Sequence, residues 1–396
     1  MRQFCFLSVV ACCLFSHGCF NNNPKAHQSL PIVDLTKKYP EKDFLVDDDN
    51  IEYIPLETTN EALADEYFFI KYVSNDRIVA INGMRGDIFV FDREGKVVSF
   101  FNHKGNSGID YYSISSLVFD ENRKEIFVSD HKNQCLVYSE EGKFLRQFYH
   151  PVNSDIGYDG LYNFDNQTLF AYNRHSKRRD ADEINQIKPY VFLSKEDGSV
   201  ISRLDVSFPE RIPDDNRQIL GTNNEMVQVF TVATTNIVES GQEFIITDRS
   251  SDTVYFLTQE KKLTPLFVRT PSVFDTKRVI YLSVKNKIDS YIFFSSCSYD
   301  FTKIKERLKE GLPYSHLFTT NNFVFDMQTG EIFTPVHFLD THLYASAPAN
   351  TVIRSFKADR LTDWLEEGRL EGRKIKQVAQ VLKEEDNPVV EIIKYR

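Results

Sequence analysis

The side chains best suited to chemistry form a basic cluster in an otherwise acidic chain. The segment NRHSKRRDADE places Arg174, His175, Arg178 and Arg179 within a stretch of six residues. Positive charge at this density attracts an anionic ligand, such as an acidic sugar or a phosphorylated glycan. The alternative is a solvated loop, because acidic residues follow directly and supply charges of the opposite sign.

Three more basic residues stand in short polar loops between apolar runs. The full predicted ligand-binding set is Arg85, His131, Arg174, His175, Arg178, Arg179 and Arg249. Asp130 and Asp248 hold equivalent positions beside two of these residues. Such a carboxylate either contacts a ligand or accepts backbone hydrogen bonds in its own loop, and we expect the second role. Tyr111, Tyr112, Tyr158, Tyr162 and Tyr299 also fall near loops, where exposed rings stack on sugars and buried rings pack between elements.

Motifs for catalysis and metal binding are absent from the sequence. There is no GxSxG, phosphate-binding loop or dinucleotide fingerprint. The nine histidines are dispersed without HxH or HExxH spacing, and His337 and His342 match a common ligand pair poorly. We therefore expect no cofactor and no metal, and we assign no catalytic residue.

The elements that must position these side chains are repeated. An apolar run, a tight polar turn and a second apolar run recur five times: IFVFDREGKVVSFF (88–101), LVYSEEGKFLRQF (136–148), YVFLSKEDGSVISRL (190–204), VYFLTQEKKLTPLFV (254–268) and FVFDMQTGEIFTPV (323–336). Turn glycines supply the positive φ of a hairpin, except in the fourth copy, where Lys261 takes that place. A unit repeated every 45–70 residues, roughly, indicates a propeller or a solenoid.

The pattern within each repeat favours the propeller. Residues 114–148 read as a four-stranded antiparallel meander whose middle strands are apolar on consecutive positions. Such runs belong to strands that are buried on both faces, as in blades stacked around an axis. The sequence thus predicts an all-β, six-bladed β-propeller. Strand-like residues 50–56 near the start and 351–356 and 389–394 near the end are expected to share the sixth blade and close the ring, with a short helical segment at 360–383.

The beginning of the chain reads as an export signal. Arg2 precedes an apolar stretch of about a dozen residues, too short to span a bilayer. Ser16, His17, Gly18 and Cys19 follow and resemble a bacterial lipoprotein cleavage site, with Cys19 as the lipidated residue; an ordinary secretory signal is the alternative. The expected organisation is a signal peptide at 1–18, a tether at 19–33 and the propeller domain at 34–396.

The charge balance of the chain bears on the kind of partner it can bind. Lys and Arg number 47 against 57 Asp and Glu, a formal net charge of −10, which argues against nucleic acid as a partner.

Within the propeller domain the cysteines are Cys135 and Cys297. They fall in the second and fifth repeats, on opposite sides of a six-bladed ring, so we expect free thiols rather than a disulfide.

Several segments together resemble a known family. The phrase IFVSDHKNQCLVYSEEGKFLRQF is similar to an NHL-type repeat, and NHKGNSGIDYYSI (102–114) is similar to a Gly-rich loop of six-bladed β-propeller lipoproteins of Gram-negative bacteria. The opening IEYIPLETT and the ending EEDNPVVEIIKYR resemble the opening strand and the final turn and strand of that family. The resemblance implies a propeller fold and a cell-envelope location. The family is largely of unknown function and supplies no catalytic residues.

The function expected from these observations is a binding or scaffold module without enzymatic activity. It would hold a glycan, a peptide or an envelope protein on its loop face and reach the membrane through a lipid on Cys19. Because no acidic cluster follows Cys19, the outer membrane facing the periplasm is the expected location. The alternative is a carbohydrate-active hydrolase or lyase with its site at the propeller axis.

Overall fold

Six small antiparallel sheets, arranged as blades around an axis, make up the computed structural model and confirm the predicted propeller. The structure describes residues 30–43, 50–150, 158, 160–173, 188–206, 208–212, 216–220, 226–231, 236–275, 280–299, 318–336 and 345–395.

The strands are numbered along the chain. The N-terminal ones are β1 (Ile32–Asp34), β2 (Glu41–Lys42) and β3 (Ile51–Pro55). Blade one contains β4 (Phe68–Val73), β5 (Arg77–Asn82), β6 (Asp87–Asp92) and β7 (Val97–Asn102). Blade two contains β8 (Ser116–Asp120), β9 (Glu125–Ser129), β10 (Gln134–Ser139) and β11 (Phe144–Tyr149). Blade three contains β12 (Gly160–Asn163), β13 (Thr168–Tyr172), β14 (Tyr190–Ser194) and β15 (Val200–Arg203).

A separate hairpin of β16 (Asn216–Leu220) and β17 (Met226–Thr231) precedes blade four. Blade four contains β18 (Ile237–Ser240), β19 (Glu243–Ile246), β20 (Thr253–Leu257) and β21 (Leu263–Thr270). Blade five contains β22 (Ile280–Ile288), β23 (Tyr291–Tyr299), β24 (Phe318–Asp326) and β25 (Ile332–Pro335). The remaining elements are β26 (Thr351–Phe356), helices α1 (Ala358–Glu366) and α2 (Arg373–Ala379), and β27 (Val389–Lys394).

Apolar packing between blades holds the ring together. In the described part of the chain, each of the six interfaces between neighbouring blades contains its own cluster of buried apolar side chains. In β6 and β10 the first five residues of each strand are buried in succession. The consecutive apolar runs therefore mark strands that contribute to two interfaces at once, as the sequence predicted.

The repeated turn has the backbone conformation that its glycines require. Gly95, Gly142, Gly198 and Gly330 have φ between 71° and 84°, and Lys261 adopts 60° in the same position. A β-carbon on Gly142 would lie 2.5 Å from the ring of Phe101 in blade one. The turn glycine of blade two is thus fixed by the approach of the preceding blade as well as by its own φ.

The chain ends close the ring as expected. In the sixth blade β27 lies between β26 and β3, and Val390 pairs with Ile54. The buried Asn387 side chain donates to the carbonyls of Glu57 and Ala62 at 2.7 and 2.8 Å. Its Oδ1 accepts the N–H of Ala64 at 2.7 Å. The N-terminal loop and the C-terminal turn are therefore joined by side-chain hydrogen bonds as well as by strand pairing.

Three of the six blades do not have four strands in the described part of the chain. The described part of blade six has three strands, while β1 and β2 each add a parallel outer strand to blades four and five. Val33 and Leu35 are buried in the core between those blades. We call residues 31–42 the N-terminal strap, because they cross two blades before β3 completes the sixth.

A charged position next to the repeated turn links successive blades. Arg93, Glu140 and Lys195 are the residues that follow β6, β10 and β14. Each contacts the preceding blade. Arg93 pairs with Glu52 at 2.5 Å, Glu140 with Arg77 at 2.6 Å, and the fully buried Lys195 with Asp120 at 2.5 Å.

The helical segment near the end is confirmed as two short helices. The sequence between them, 367–372, contains Gly368 and Gly372, both with positive φ. Their apolar faces pack on blade six around Leu361 and Val389. No helix in the described ranges is both long and apolar enough to cross a membrane. Cys135 is a buried free thiol and Cys297 a partly buried one.

Candidate functional site

The candidate site lies on the face that carries the loops between second and third strands and the loops between blades. We call it the upper face. Helices α1 and α2 join β26 to β27 at the end of blade six where Val389 pairs with Pro55, the last residue of β3, and stand on this side as well. The opposite, lower face carries the repeated turns.

An Asx cap starts the upper loop in four successive blades. Asn82, Asp130, Asn173 and Asp248 occupy the same position, five residues after the first residue of the second strand, and all are at most 6% exposed. Asp130 Oδ1 accepts the N–H of Lys132 at 2.6 Å, and Asp248 Oδ1 accepts that of Ser250 at 2.8 Å. These carboxylates shape their loops by accepting backbone hydrogen bonds, which is the role expected for them.

Arg85 lies in the upper loop of blade one and is engaged by acidic neighbours. Its Nε donates to Asp87 Oδ2 at 2.5 Å, and Nη1 lies 3.5 Å from Asp65. Nη2 donates to the carbonyl of Leu63 at 2.6 Å. A guanidinium held in this way stabilises the junction between blades six and one, and only part of its charge faces solvent.

Blade two presents an exposed cation on an exposed aromatic ring. Lys132 Nζ lies 5.3 Å from the ring centroid of Tyr112, and Tyr112 is 55% exposed. His131 is the neighbouring residue and is also exposed. A cation over an aromatic face is a weak contact in water, so both groups stay available to a ligand.

Arg249 also lies over an aromatic ring, but this ring is buried. Its guanidinium carbon lies 4.9 Å from the ring centroid of Tyr281, the second residue of β22 in blade five. The carboxylate of Asp248 accepts the hydroxyl hydrogen of Tyr190 at 2.6 Å, and burial raises the pKa of that phenol. Asp248 thus connects blades three and four directly beneath Arg249.

The remaining members of the predicted ligand-binding set lie outside the described residues; they are Arg174, His175, Arg178 and Arg179. The same holds for three other residues singled out in the sequence, Cys19, His337 and His342. The sequence of residues 302–309 favours a helix, and this segment also lies outside the described residues. Of the predicted ligand-binding set, the structure therefore places Arg85, His131 and Arg249, which belong to blades one, two and four.

Most of the loop tyrosines serve packing. Tyr111 and Tyr158 are at most 1% exposed, Tyr162 is half-buried, and Tyr112 alone of these four is open to solvent. Phe69 on the innermost strand of blade one is 43% exposed. Sequence patterns did not single out Phe69 or Tyr281, because each stands in an apolar run typical of a buried strand.

Tyr111 shows what the Gly-rich loop does. Its hydroxyl donates to the carbonyl of Gly86 at 2.5 Å and accepts the N–H of His103 at 3.0 Å. A β-carbon on Gly105 would lie 2.2 Å from Oδ2 of Asp110. The loop between blades one and two is therefore a packed structural element that sets the position of Tyr112.

A buried histidine behind blade two was not predicted. His150 is 3% exposed, its Nε2 lies 3.1 Å from Ser129 Oγ, and burial lowers its pKa to about 4. Its ring meets Tyr158 edge-on at 4.8 Å. His150 is neutral near pH 7, and its packing supports the upper loops.

Acidic, histidine and cysteine side chains do not converge on a metal site within the described ranges. No group of three or more stands in an arrangement that would hold an ion there.

A family profile described as "Domain of unknown function (DUF4934)" matches residues 30–394. The chain belongs to this family. No curated protein matches the chain.

Two solved structures are similar to the chain. One from Bacteroides fragilis NCTC 9343, named "Putative exported protein", superposes with a TM-score of 0.57 at 13% identity, covering 92% of this chain and 99% of that one. A member of the DUF4221 family from Bacteroides vulgatus gives 0.44 at 8% identity over 73% of this chain and 84% of that one. The first likeness, at 13% identity, concerns the fold alone.

Proposed function

We propose that this DUF4934 protein is a non-enzymatic binding module of the cell envelope, which holds an acidic glycan on the upper face of its propeller. The observation that carries the proposal is the exposed pair of Lys132 and Tyr112. A sugar ring stacks on an exposed aromatic face, and a carboxylate or phosphate on that sugar pairs with the adjacent ammonium. Exposed His131 adds a third polar group.

Binding to a panel of acidic polysaccharides, including polygalacturonate, tests the site. Tyr112→Ala and Lys132→Met should each weaken binding by about tenfold, since stacking or a charge-assisted hydrogen bond is worth one to a few kcal/mol. Leu145→Ala and Lys143→Met are matched controls, because both residues are exposed and lie beside the lower-face turn of the same blade. Equal loss in the control pair would reject Tyr112 and Lys132 as the site.

The same experiment separates binding from catalysis. A binding module saturates and returns the polysaccharide with its length unchanged. Release of reducing ends or unsaturated sugars would replace this proposal with the hydrolase or lyase alternative.

The envelope location is part of the proposal. It is supported by the lipoprotein-like residues around Cys19 and by the name of the Bacteroides fragilis structure. Cys19→Ser should move the protein from the membrane fraction to the soluble one, while Cys12→Ser should not. Mass spectrometry that finds an unmodified residue at the mature N-terminus would contradict the lipid anchor.

A further inference from the structure

Exposed apolar side chains gather on the upper face of blade one. We call Leu63, Tyr67, Phe69 and Met84, which are 42–61% exposed, the blade-one patch. Several other exposed large apolar residues stand on outer strands, such as Val98, Leu145 and Ile201, where alternate positions face solvent. Exposed apolar side chains that stand close together mark interaction sites, whereas single ones are ordinary.

Hydrogen bonds hold the backbone of the patch together. Gly83 donates its N–H to the carbonyl of Tyr67 at 3.3 Å, which places the following residue, Met84, close to Tyr67. Nη2 of Arg85 donates to the carbonyl of Leu63 at 2.6 Å. The upper loop of blade one is thus joined to both ends of the segment 63–67.

Phe69 extends the patch toward the axis. It stands on the innermost strand β4, between Phe68 and Ile70, which are both buried. Side chains alternate along an extended chain, so Phe69 lies on the same side of the chain as Tyr67, two residues earlier. The patch therefore runs from the upper loop of blade one to its innermost strand.

Leu63 and Met84 indicate the class of partner. An aliphatic side chain offers neither an aromatic face nor a hydrogen bond, and a sugar uses both in its binding sites. Aromatic residues and methionine are enriched where proteins contact each other, and methionine adapts its shape to the opposite surface. The composition of the patch favours a protein partner over a glycan.

Charges of opposite sign stand at the two ends of the patch. Glu61 and Glu66 are exposed in the loop that enters blade one from blade six, where the turn before β27 binds the carbonyl of Ala62. Lys104 is exposed on the side of blade two, and its Nζ donates to the carbonyl of Met84 at 2.7 Å. Within the described ranges neither glutamate forms an ion pair, and Lys104 has no carboxylate partner.

This distribution of charge is complementary to itself. Arg85, at the centre, is already engaged by Asp65 and Asp87, so the unpaired charges are those at the two ends. A two-fold axis through the patch brings the acidic end of one copy against the basic end of the other, and does so twice. The same rotation places the apolar side chains of the two copies against each other.

We propose that the blade-one patch is the interface of a symmetric dimer of this chain. The patch is covered by the same patch of a second copy, with Lys104 of each copy facing the glutamates of the other. The interface is distinct from the pair of Tyr112 and Lys132, which belongs to blade two, and it does not depend on the glycan proposed there.

Sedimentation equilibrium of the whole protein tests the dimer, with Cys19→Ser throughout so that no lipid joins the copies. The protein should associate with a dissociation constant of about 10–100 μM, because a small patch makes an interface at the weak end of the range. Met84→Glu should weaken association by about tenfold or more, since it places an unpaired carboxylate in the contact. Leu145→Glu is the matched control, because Leu145 is equally apolar and exposed but lies beside the lower-face turn of blade two.

Exchange of the end charges tests the two-fold arrangement. Lys104→Glu and the double variant Glu61→Lys/Glu66→Lys should each associate with themselves about tenfold more weakly than the parent, because like charges then meet at both ends. Mixing the two variants brings opposite charges together at both ends again. The mixture should therefore associate about as tightly as the parent, which also shows that both variants are folded.

Four results would overturn the proposal. They are a parent protein that stays monomeric up to about 100 μM, a Met84→Glu variant that associates as the parent does, a Leu145→Glu variant that is weakened equally, and a mixture of the charge variants that associates no better than either one alone. Failure of the glycan site leaves each of these measurements unaffected, so the two proposals stand or fall separately.

Discussion

At the scale of single residues, the upper loops rest on buried polar groups, which differ from their exposed neighbours in access to water. His131 and His150 illustrate the contrast within one blade. His131 is exposed on the upper face, whereas His150 is enclosed beneath the same loops beside Ser129 and Tyr158. Enclosure of this kind lowers the pKa of the His150 imidazole.

His150 should make the protein less stable as the pH falls. Its pKa is about 4 when folded, against an ordinary value of about 6.5, so below 6.5 the unfolded chain binds the proton more readily. The stabilisation is complete above pH 6.5 and is lost between about 6.5 and 4, by about 3 kcal/mol in all. Denaturant unfolding at a series of pH values measures this loss.

His150→Gln should flatten the pH dependence over that interval, because it removes the imidazole that the fold keeps uncharged. An unchanged slope in His150→Gln would show that other groups cause the acid sensitivity.

How far residues can be predicted from sequence depends on what sets their environment. Asp130 and Asp248 were interpreted correctly as loop-shaping acceptors, because an Asx residue acts on backbone close by in the chain. The pairing of Lys132 with Tyr112 and of Arg249 with Tyr281 was not predicted, since each joins different loops or blades.

At the scale of elements, the repeated turn offers a comparison internal to the molecule. Gly142 and Gly330 occupy the same turn position with φ of 84° and 72°. A β-carbon on Gly142 meets Phe101, whereas one on Gly330 has nothing within 4 Å. The two sites differ in packing while their backbone conformation is shared.

Gly330→Ala should destabilise the fold by about 1 kcal/mol, the cost of a left-handed conformation with a side chain. Gly142→Ala should cost about 1–3 kcal/mol more, because the added methyl group forces Phe101 or the turn to move. Free energies of unfolding from denaturant titration give both values. Equal losses at the two sites would mean that Phe101 of the preceding blade moves aside at no cost in free energy.

Blade patterns were readable from sequence where strands repeat, and unreadable where the chain departs from the repeat. The hydrophobic runs and turn glycines identified blades one to five and the closing strands. The strap was missed because Val33 and Leu35 stand in a short polar stretch, and their burial comes from a groove formed by residues more than two hundred positions away. The hairpin β16–β17 has no counterpart in the other repeats.

At the scale of the whole molecule, the junction of the two chain ends determines whether the ring is closed. Asn387 is 1% exposed and satisfies three backbone groups of the N-terminal loop with its side chain. Asn387→Ala leaves two carbonyls and one N–H enclosed without that partner. We expect a loss of about 2–4 kcal/mol, since each unsatisfied buried group costs about 1–3 kcal/mol and some regain water.

Asn122→Ala is the control, because Asn122 is exposed and its change should stay within about 0.5 kcal/mol. Thermal unfolding followed by circular dichroism measures both variants. A melting temperature of Asn387→Ala equal to that of the control would mean that strand pairing alone closes the ring.

The N-terminal strap also sets an order of events during synthesis. β1 needs β21 and β2 needs β25, while β3 needs β27, whose last residue is Lys394. The first strands to leave the ribosome therefore wait for later ones: β1 has no partner strand until β21 has been made, β2 until β25 has been made, and β3 until almost the entire polypeptide has been made. The ring of this protein therefore stays open during synthesis until its last strand, β27, has been made.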